Sequence, residues 1–285
     1  MTDKWNETGA TGNVGIPTLS HLHALNNNAH IVACIHNTKQ SAQIHSVLPE
    51  AEVREIDFDN PNTFASALEG GGILFLLRPP QISDVEKFRP LLSQAEATGI
   101  KEIVFLSVQG ADKQRFIPHA KIEKLIREFE FNYVFLRPGY FMQNLTSTLA
   151  QDVKEGTIML PAGDAPFMWT DAENIGEVAA RVLLRFNEYA NTAIEVTGKE
   201  LISFGEAIKR INAAIGSNLK YRSVNLFHFW RHRKKQGTPA AMIAVMIMLH
   251  FLPRIQKPPT VSWAYQQITG KEPTTLAEFA KRNMI

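Results

Sequence analysis

The chain has 285 residues, 45% of them hydrophobic and 20% charged, with a formal net charge of +2. That is an ordinary globular composition, long enough for a sizeable core in one or two domains, and it gives no bulk electrostatic argument for nucleic acid or a membrane as partner. A single cysteine, Cys34, excludes an internal disulfide framework, and Met1 to Glu7 carries no apolar signal core, so a cytoplasmic protein is expected.

The first strand should lie in Thr2 to Glu7, because a strand has to deliver the chain into the glycine-rich stretch that follows. Its composition is unusually polar for a central parallel strand, which is normally a run of Val, Ile and Leu. Next comes Thr8-Gly9-Ala10-Thr11-Gly12-Asn13-Val14-Gly15, a G-x-x-G-x-x-G spacing. Glycines so placed allow a tight turn and the close approach of a pyrophosphate, and the helix that follows points its free N–H groups at that anion. Val14 to Leu25 has a helical apolar face, with Pro17 in the first turn, and Asn26-Asn27-Asn28 ends it. Ile31 to Ile35 then reads as a buried strand closing a β-α-β unit of about 30 residues. Cys34 lies inside this run, so a buried, inert thiol is expected.

His36, Asn37, Thr38 and Lys39 follow, where a dinucleotide site faces the adenosine ribose. No acid stands there to hold both ribose hydroxyls; donors and a cation do, which favours NADP(H) over NAD(H), with a solvated turn as the alternative. Ala51 to Ile56 should be a third strand, with Asp57 and Phe58 at its carboxyl end able to bracket an adenine, or Asp59 or Asn60 simply capping a helix. Gly70-Gly71-Gly72 leads into a buried fourth strand, Ile73 to Leu77, stopped by Arg78-Pro79-Pro80. A helix over Ile82 to Thr98 with Gly99 past its end and a fifth strand, Ile103 to Leu106, come next. A helix starting at Pro118 and a sixth strand, Tyr133 to Leu136, complete an alternation typical of a doubly wound parallel sheet.

Beyond Thr146 the pieces are shorter: Thr157 to Leu160, a helix from about Ile175 to Phe186, a strand over Thr192 to Val196, and a further helix over Phe204 to Ile215. Arg231-His232-Arg233-Lys234-Lys235 reads as a solvated face. The apolar run Ala240 to Leu252 is too short for a bilayer span of about 20 residues and is expected as a buried helix. The expected division is a dinucleotide-binding domain over 1–150 and a smaller, mostly C-terminal α+β lobe over 151–285, some of whose strands and helices can return to the first domain.

Taken together, the glycine stretch, Asp57-Phe58-Asp59, Phe105-Leu106-Ser107 with Gly110-Ala111, His119-Ala120-Lys121-Ile122-Glu123, and Leu136-Arg137-Pro138-Gly139 leading to Phe141-Met142-Gln143-Asn144 resemble the NmrA-like atypical short-chain dehydrogenases, including their bacterial quinone-reductase members. The resemblance runs from about Thr8 to the C-terminus. It implies a Rossmann domain with a smaller substrate lobe, and NADP(H) as cofactor. It places Gly9, Thr11, Gly12, Asn13, Val14 and Gly15 on the pyrophosphate, and Asn37 and Lys39, beside His36, near the 2′-phosphate. Asp57 and Phe58 fall on the adenine pocket, and Leu77, Arg78 and Pro79 along the ribose and nicotinamide. Ser107 falls on the classical catalytic serine, Lys121 on the lysine that holds the nicotinamide ribose, and Tyr140, Phe141 and Asn144 beside the nicotinamide.

Two departures matter, the polar first strand and a missing tyrosine. The classical enzymes use Tyr-x-x-x-Lys, and counting back from Lys121 reaches Ile117, which cannot exchange a proton. His119 is a candidate replacement acid, with simple packing or capping as the other reading. The expected reaction is therefore hydride transfer from NADPH to a quinone-like, flat and apolar small molecule. Such an acceptor draws its proton from water and needs orientation more than an acid. Met242 to Met248 could floor its pocket or merely pack a core. A non-catalytic dinucleotide-binding redox sensor that regulates a partner protein is the rival reading, and a sugar-nucleotide epimerase is disfavoured by the lost tyrosine. No metal and no nucleic acid are expected, and the chain is compatible with a homodimer.

Overall fold

The structure, a computed structural model, describes residues 4–82 and 84–284. Thr2 and Asp3 of the expected first strand, and Ser83 of the helix expected from Ile82, lie outside the described residues. In chain order the elements are β1 (Lys4–Thr8), α1 (Gly15–Leu25), β2 (His30–Ile35), α2 (Ser41–Val47), β3 (Glu52–Glu55), α3 (Phe64–Leu68), β4 (Ile73–Leu77), α4 (Phe88–Ala97), β5 (Glu102–Leu106), α5 (Pro118–Glu128) and β6 (Asn132–Pro138). There follow β7 (Tyr140–Phe141), α6 (Ala150–Lys154), β8 (Thr157–Leu160), β9 (Pro166–Thr170), α7 (Ala172–Leu184), α8 (Phe186–Tyr189) and β10 (Thr192–Val196). The last are β11 (Glu200–Ser203), α9 (Phe204–Ile215), β12 (Lys220–Ser223), α10 (Leu226–Lys235), α11 (Ala240–Phe251), α12 (Ala264–Thr269) and α13 (Leu276–Asn283).

These elements form two compact units. The first takes its described residues from Met1–Pro138, Ala172–Val196 and Ala264–Lys271, the second from Gly139–Asp171, Thr197–Trp263 and Glu272–Ile285. The first crossing thus falls at Pro138, ahead of the boundary expected at residue 150, and α7, α8, β10 and α12 return to the first unit.

The first unit is built on a parallel sheet of seven described strands in the order β10-β6-β5-β4-β1-β2-β3. This is the expected Rossmann-type, doubly wound arrangement. Strand order reverses between β1 and β4, and in such sheets ligands bind outside the carboxyl ends of the strands at that switch point. One face packs Val32, Leu74, Leu76, Ile103 and Phe105 against Phe64, Phe88, Leu92 and Ile126. On α7, Gly176 leaves no room for a side chain, because a Cβ there would lie 2.5 Å from the Pro17 Cβ of α1.

β1 forms although Lys4, Asn6, Glu7 and Thr8 are all buried in it. Its polar side chains on one face are tied to backbone: Asn6 Nδ2 donates to the Gly71 carbonyl at 2.7 Å, and Thr8 Oγ1 donates to the Leu77 carbonyl at 3.1 Å while accepting from the Leu77 N–H at 2.8 Å. On the other face Trp5 Nε1 donates to the Leu183 carbonyl at 3.4 Å. Asn6 Oδ1 and both Glu7 oxygens are left unpartnered among the described residues. Cys34 is buried, as expected, and burial pushes its thiol pKa up to about 12.

The second unit holds a three-stranded sheet, β11-β9-β7, and a parallel pair, β12-β8. Its core gathers Tyr140, Phe167, Trp169, Phe204, Phe229, Ile243, Met246 and Phe279. Here α11 departs from expectation. Only Ile243, Met246 and His250 of that helix are buried, while Val245, Met248 and Leu249 are exposed. A helix apolar on every side does not disclose which arc is covered. Met246 is core, Met242 packs against it, and Met248 is exposed.

Candidate functional site

The glycine stretch forms the turn between β1 and α1. Gly9 has φ +64°, a left-handed conformation suited to glycine, and the Gly12 N–H donates to its carbonyl at 2.8 Å. A Cβ on Gly15 would lie 2.5 Å from the Gly9 oxygen and 2.7 Å from Ala10, and one on Gly9 would lie 3.3 Å from the Leu77 Cβ. The backbone therefore closes on itself too tightly for side chains. The N–H groups of Thr11, Asn13 and Val14 meet no backbone acceptor among the described residues. They stand just before α1, whose first turn carries no acidic residue. Free N–H donors, a helix dipole and a cradle without Cβ atoms fit a dinucleotide pyrophosphate.

At the ends of β2 and β3 the structure brings His36 and Asp57 together, Nδ1 to Oδ1 at 3.6 Å. Asp57 Oδ1 also accepts from the Asp59 N–H at 2.9 Å. Asn37 caps the short turn after β2 by accepting from the Lys39 N–H, and Lys39 is exposed. Phe58 turns inward. Its ring centroid lies 5.2 Å from Phe88 and 6.3 Å from Phe64, so the expected role of lining adenine with its face is replaced by core packing.

Leu77 ends β4, and Arg78 follows. The Arg78 Nη1 donates to the carbonyls of Pro79 at 3.2 Å, Pro80 at 3.3 Å and, more closely, Ile82. Its Nε donates to His119 Nε2 at 3.4 Å. Burial, with the guanidinium adding to it, lowers the His119 pKa to about 3. With its pKa so lowered and Nε2 accepting from Arg78, His119 is poorly placed to supply a proton, and the packing reading stands beside the acid one. It holds Arg78 in place, and Phe105 packs beside its ring with centroids 6.2 Å apart.

Ser107, at the end of β5, is equally committed. Its hydroxyl donates to Glu123 Oε1 at 2.6 Å. Glu123 in turn accepts from Arg137 Nε at 2.9 Å and Nη2 at 2.7 Å, a two-pronged ion pair, and both residues are buried. The expected catalytic serine is therefore part of a buried polar clamp joining β5, α5 and β6. Sequence reasoning quoted Glu123 and Arg137 inside longer motifs without assigning them roles. A charged residue on the buried face of α5, beside Ile122 and Ile126, was the available signal.

Lys121 lies in the first turn of α5, and its exposed side chain makes no hydrogen bond or ion pair among the described residues. Its N–H donates to the Ile117 carbonyl at 3.2 Å, and Ile117 is buried. Tyr140, Phe141 and Asn144 belong to the second unit. Tyr140 is buried among Phe167, Trp169 and Phe204. Its hydroxyl faces His250 Nε2 at 3.0 Å, while His250 Nδ1 donates to the Met246 carbonyl at 2.7 Å. Burial raises the Tyr140 pKa above the usual phenol value and lowers that of His250 to about 4. Phe141 is half-buried, and so is Asn144.

Comparison with known proteins agrees with this fold. The NmrA-like family model matches residues 6–280, and the chain belongs to that family. It is 26% identical to the prestalk A differentiation protein A of Dictyostelium discoideum, covering 96% of this chain and 90% of that one. It is 28% identical to the NAD(P)H azoreductase of Xenophilus azovorans, covering 79% and 80%. Among solved structures it resembles an Escherichia coli NADPH-dependent quinone oxidoreductase complexed with NADPH, with a TM-score of 0.84 at 21% identity over 99% of this chain and 100% of the other. The family thus includes NAD(P)H-dependent oxidoreductases. Among the described residues no helix is long and apolar enough to cross a membrane.

Proposed function

We propose that this protein is an NADPH-dependent oxidoreductase that reduces a quinone-like, flat small molecule. The observation that carries the reading is the glycine turn at the switch point of the sheet, where a Gly15 Cβ would lie 2.5 Å from the Gly9 oxygen and the next backbone donors are free of backbone acceptors. Gly9, Gly12 and Gly15 with the N–H groups of Thr11, Asn13 and Val14 would hold the pyrophosphate. Asn37, Lys39 and His36 would meet the 2′-phosphate, Asp57 the adenine amino group, and Lys121 the nicotinamide ribose. The nicotinamide supplies a hydride when bound. The chain supplies orientation, and with Ile117 buried and His119 neutral the acceptor's proton comes from water.

That same pair of observations favours a second reading, a non-catalytic nucleotide sensor. Titration with NADPH and NADH, followed by NADPH oxidation over a panel of quinones, separates the two. Turnover supports the reductase, tight binding without turnover supports the sensor, and no binding of either nucleotide refutes both. A Lys39→Ala variant should weaken NADPH binding by about tenfold and leave NADH unchanged, since one partly screened cation–phosphate contact is worth about 1.4 kcal/mol. Equal loss for both nucleotides would remove the 2′-phosphate assignment.

A further inference from the structure

We propose that the α10–α11 hairpin docks this protein on an anionic lipid surface. Three observations converge there, and none of them depends on the nucleotide reading.

The first is charge. From Lys220 to Trp263 the chain has eight Lys and Arg residues and no Asp or Glu, although the whole chain balances 30 against 28. Of those cations, Arg233 is buried and neutralised by Asp152. Arg231, Lys234 and Lys235 are exposed on α10. Arg222, His228, Arg231 and Lys235 also line one groove of about 480 Å³, wide enough for a phosphate headgroup.

The second is apolar exposure on the same hairpin. Phe227 is 70% and Trp230 39% exposed on α10. On α11, Ala240, Ala241, Ala244, Val245, Met248 and Leu249 are all exposed. Their spacing puts them on one half of the helix, and no charged residue interrupts that half. The third is length. α11 has 12 residues, about 18 Å of helix, short of the roughly 30 Å hydrocarbon core. Such a helix lies in the interface rather than across it.

Lipid is the occupant that satisfies both sets of groups. Cations meet headgroup phosphates, Trp230 sits at the level where amphipathic rings concentrate, and the α11 face enters the acyl boundary. A second copy of the chain would bring the α10 cations of two hairpins together with no acid in either to pair them. A nucleic acid would use the cations and leave the α11 face in water.

The test is co-sedimentation of the full chain with vesicles of phosphatidylcholine, alone or with about one-third phosphatidylglycerol, with tryptophan emission read in parallel. Trp5 and Trp169 are buried in the folded protein, so a blue shift on binding reports Trp230 and Trp263. Partitioning should be at least tenfold stronger on the anionic vesicles, since each cation contributes about fivefold. Replacing Arg231, Lys234 and Lys235 together by Gln should reduce it by about two orders of magnitude. Met248→Ser combined with Phe227→Ser should reduce it while leaving nucleotide affinity unchanged. Equally weak binding to both vesicle types overturns the proposal. So does a dimer that the two Ser substitutions dissolve while vesicles stay unbound, or retention on duplex DNA that the Gln variant abolishes and the Ser variant does not.

Discussion

Glu7 is the sharpest energetic consequence of the polar first strand. It stands between Ala33 on β2 and Phe75 on β4, is 1% exposed, and neither of its oxygens has a hydrogen-bond partner among the described residues. Burial holds its pKa well above the ordinary carboxylate value of 4.5. At pH values between that ordinary value and the raised folded one, folding therefore takes up a proton. For a group whose folded pKa is raised, stability is complete below the unfolded pKa and is lost as pH rises toward the folded one. The loss is about 1.4 kcal/mol per pH unit in that window. Leaving buried polar atoms unpaired costs about 1–3 kcal/mol besides.

Glu7→Leu, of similar volume, should then stabilise the protein by about 1–3 kcal/mol at mildly acid pH. The advantage should widen as pH rises, by the slope above. In a protein of this size each kcal/mol is about 2–4 °C of Tm. Thermal unfolding followed by circular dichroism near the ordinary carboxylate value of 4.5 and at a series of higher pH values measures both terms. Glu7→Gln keeps the shape and the polar atoms and removes only the titration, so its Tm should lose the pH dependence without the gain at low pH. A Glu7→Leu advantage that does not widen with pH, or a wild-type slope that Glu7→Gln leaves intact, would refute the reasoning: the carboxylate would then be solvated or paired.

Other consequences are equally direct. Gly15→Ala puts a Cβ 2.5 Å from the Gly9 oxygen and 2.7 Å from Ala10, so the turn must open, and calorimetry should show NADPH affinity reduced by tenfold or more. Glu123→Ala leaves Arg137 buried with only the longer Asp112 contact at 3.6 Å, and Ser107 without its acceptor. It should cost about 3–5 kcal/mol in denaturant unfolding, and a loss below about 1 kcal/mol would mean that water replaces the carboxylate. Lys121→Ala removes an exposed side chain with no partner among the described residues; Tm should stay within about 1 °C, in keeping with surface substitutions, while NADPH-dependent turnover falls, and full turnover in the variant would end the role assigned to that lysine.

What the sequence discloses depends on whether local pattern or tertiary contact decides the outcome. β4, β8, β10 and α9 fall on the expected residues, because apolar runs and helical spacing mark them. β12, Lys-Tyr-Arg-Ser, has no such pattern and exists through pairing with β8. The glycine turn was readable because its residues must be small whatever surrounds them. The states of Ser107 and His119 were not: Ser107 is set by Glu123, 16 residues away, and His119 by Arg78, 41 residues away, and no periodicity encodes such a hydrogen bond.

Ile117 gains a different meaning from these contacts. Read against Tyr-x-x-x-Lys, it is a lost acid. In the structure it is buried at the N-cap of α5, and its carbonyl receives the Lys121 N–H. Two residues beyond Lys121 on the same helix, Glu123 grips Ser107 and Arg137. The helix start is thus pinned on both sides of Lys121, by an apolar anchor before it and an ionic clamp after it, while Lys121 itself stays exposed. A tyrosine at position 117 would have to bury its hydroxyl where an apolar side chain now packs, at a cost of about 1–3 kcal/mol if unpaired. The backbone that carries Lys121 is therefore anchored at the corner of β5, α5 and β6. The reaction proposed above, which needs an oriented donor and takes its proton from water, suits such a corner.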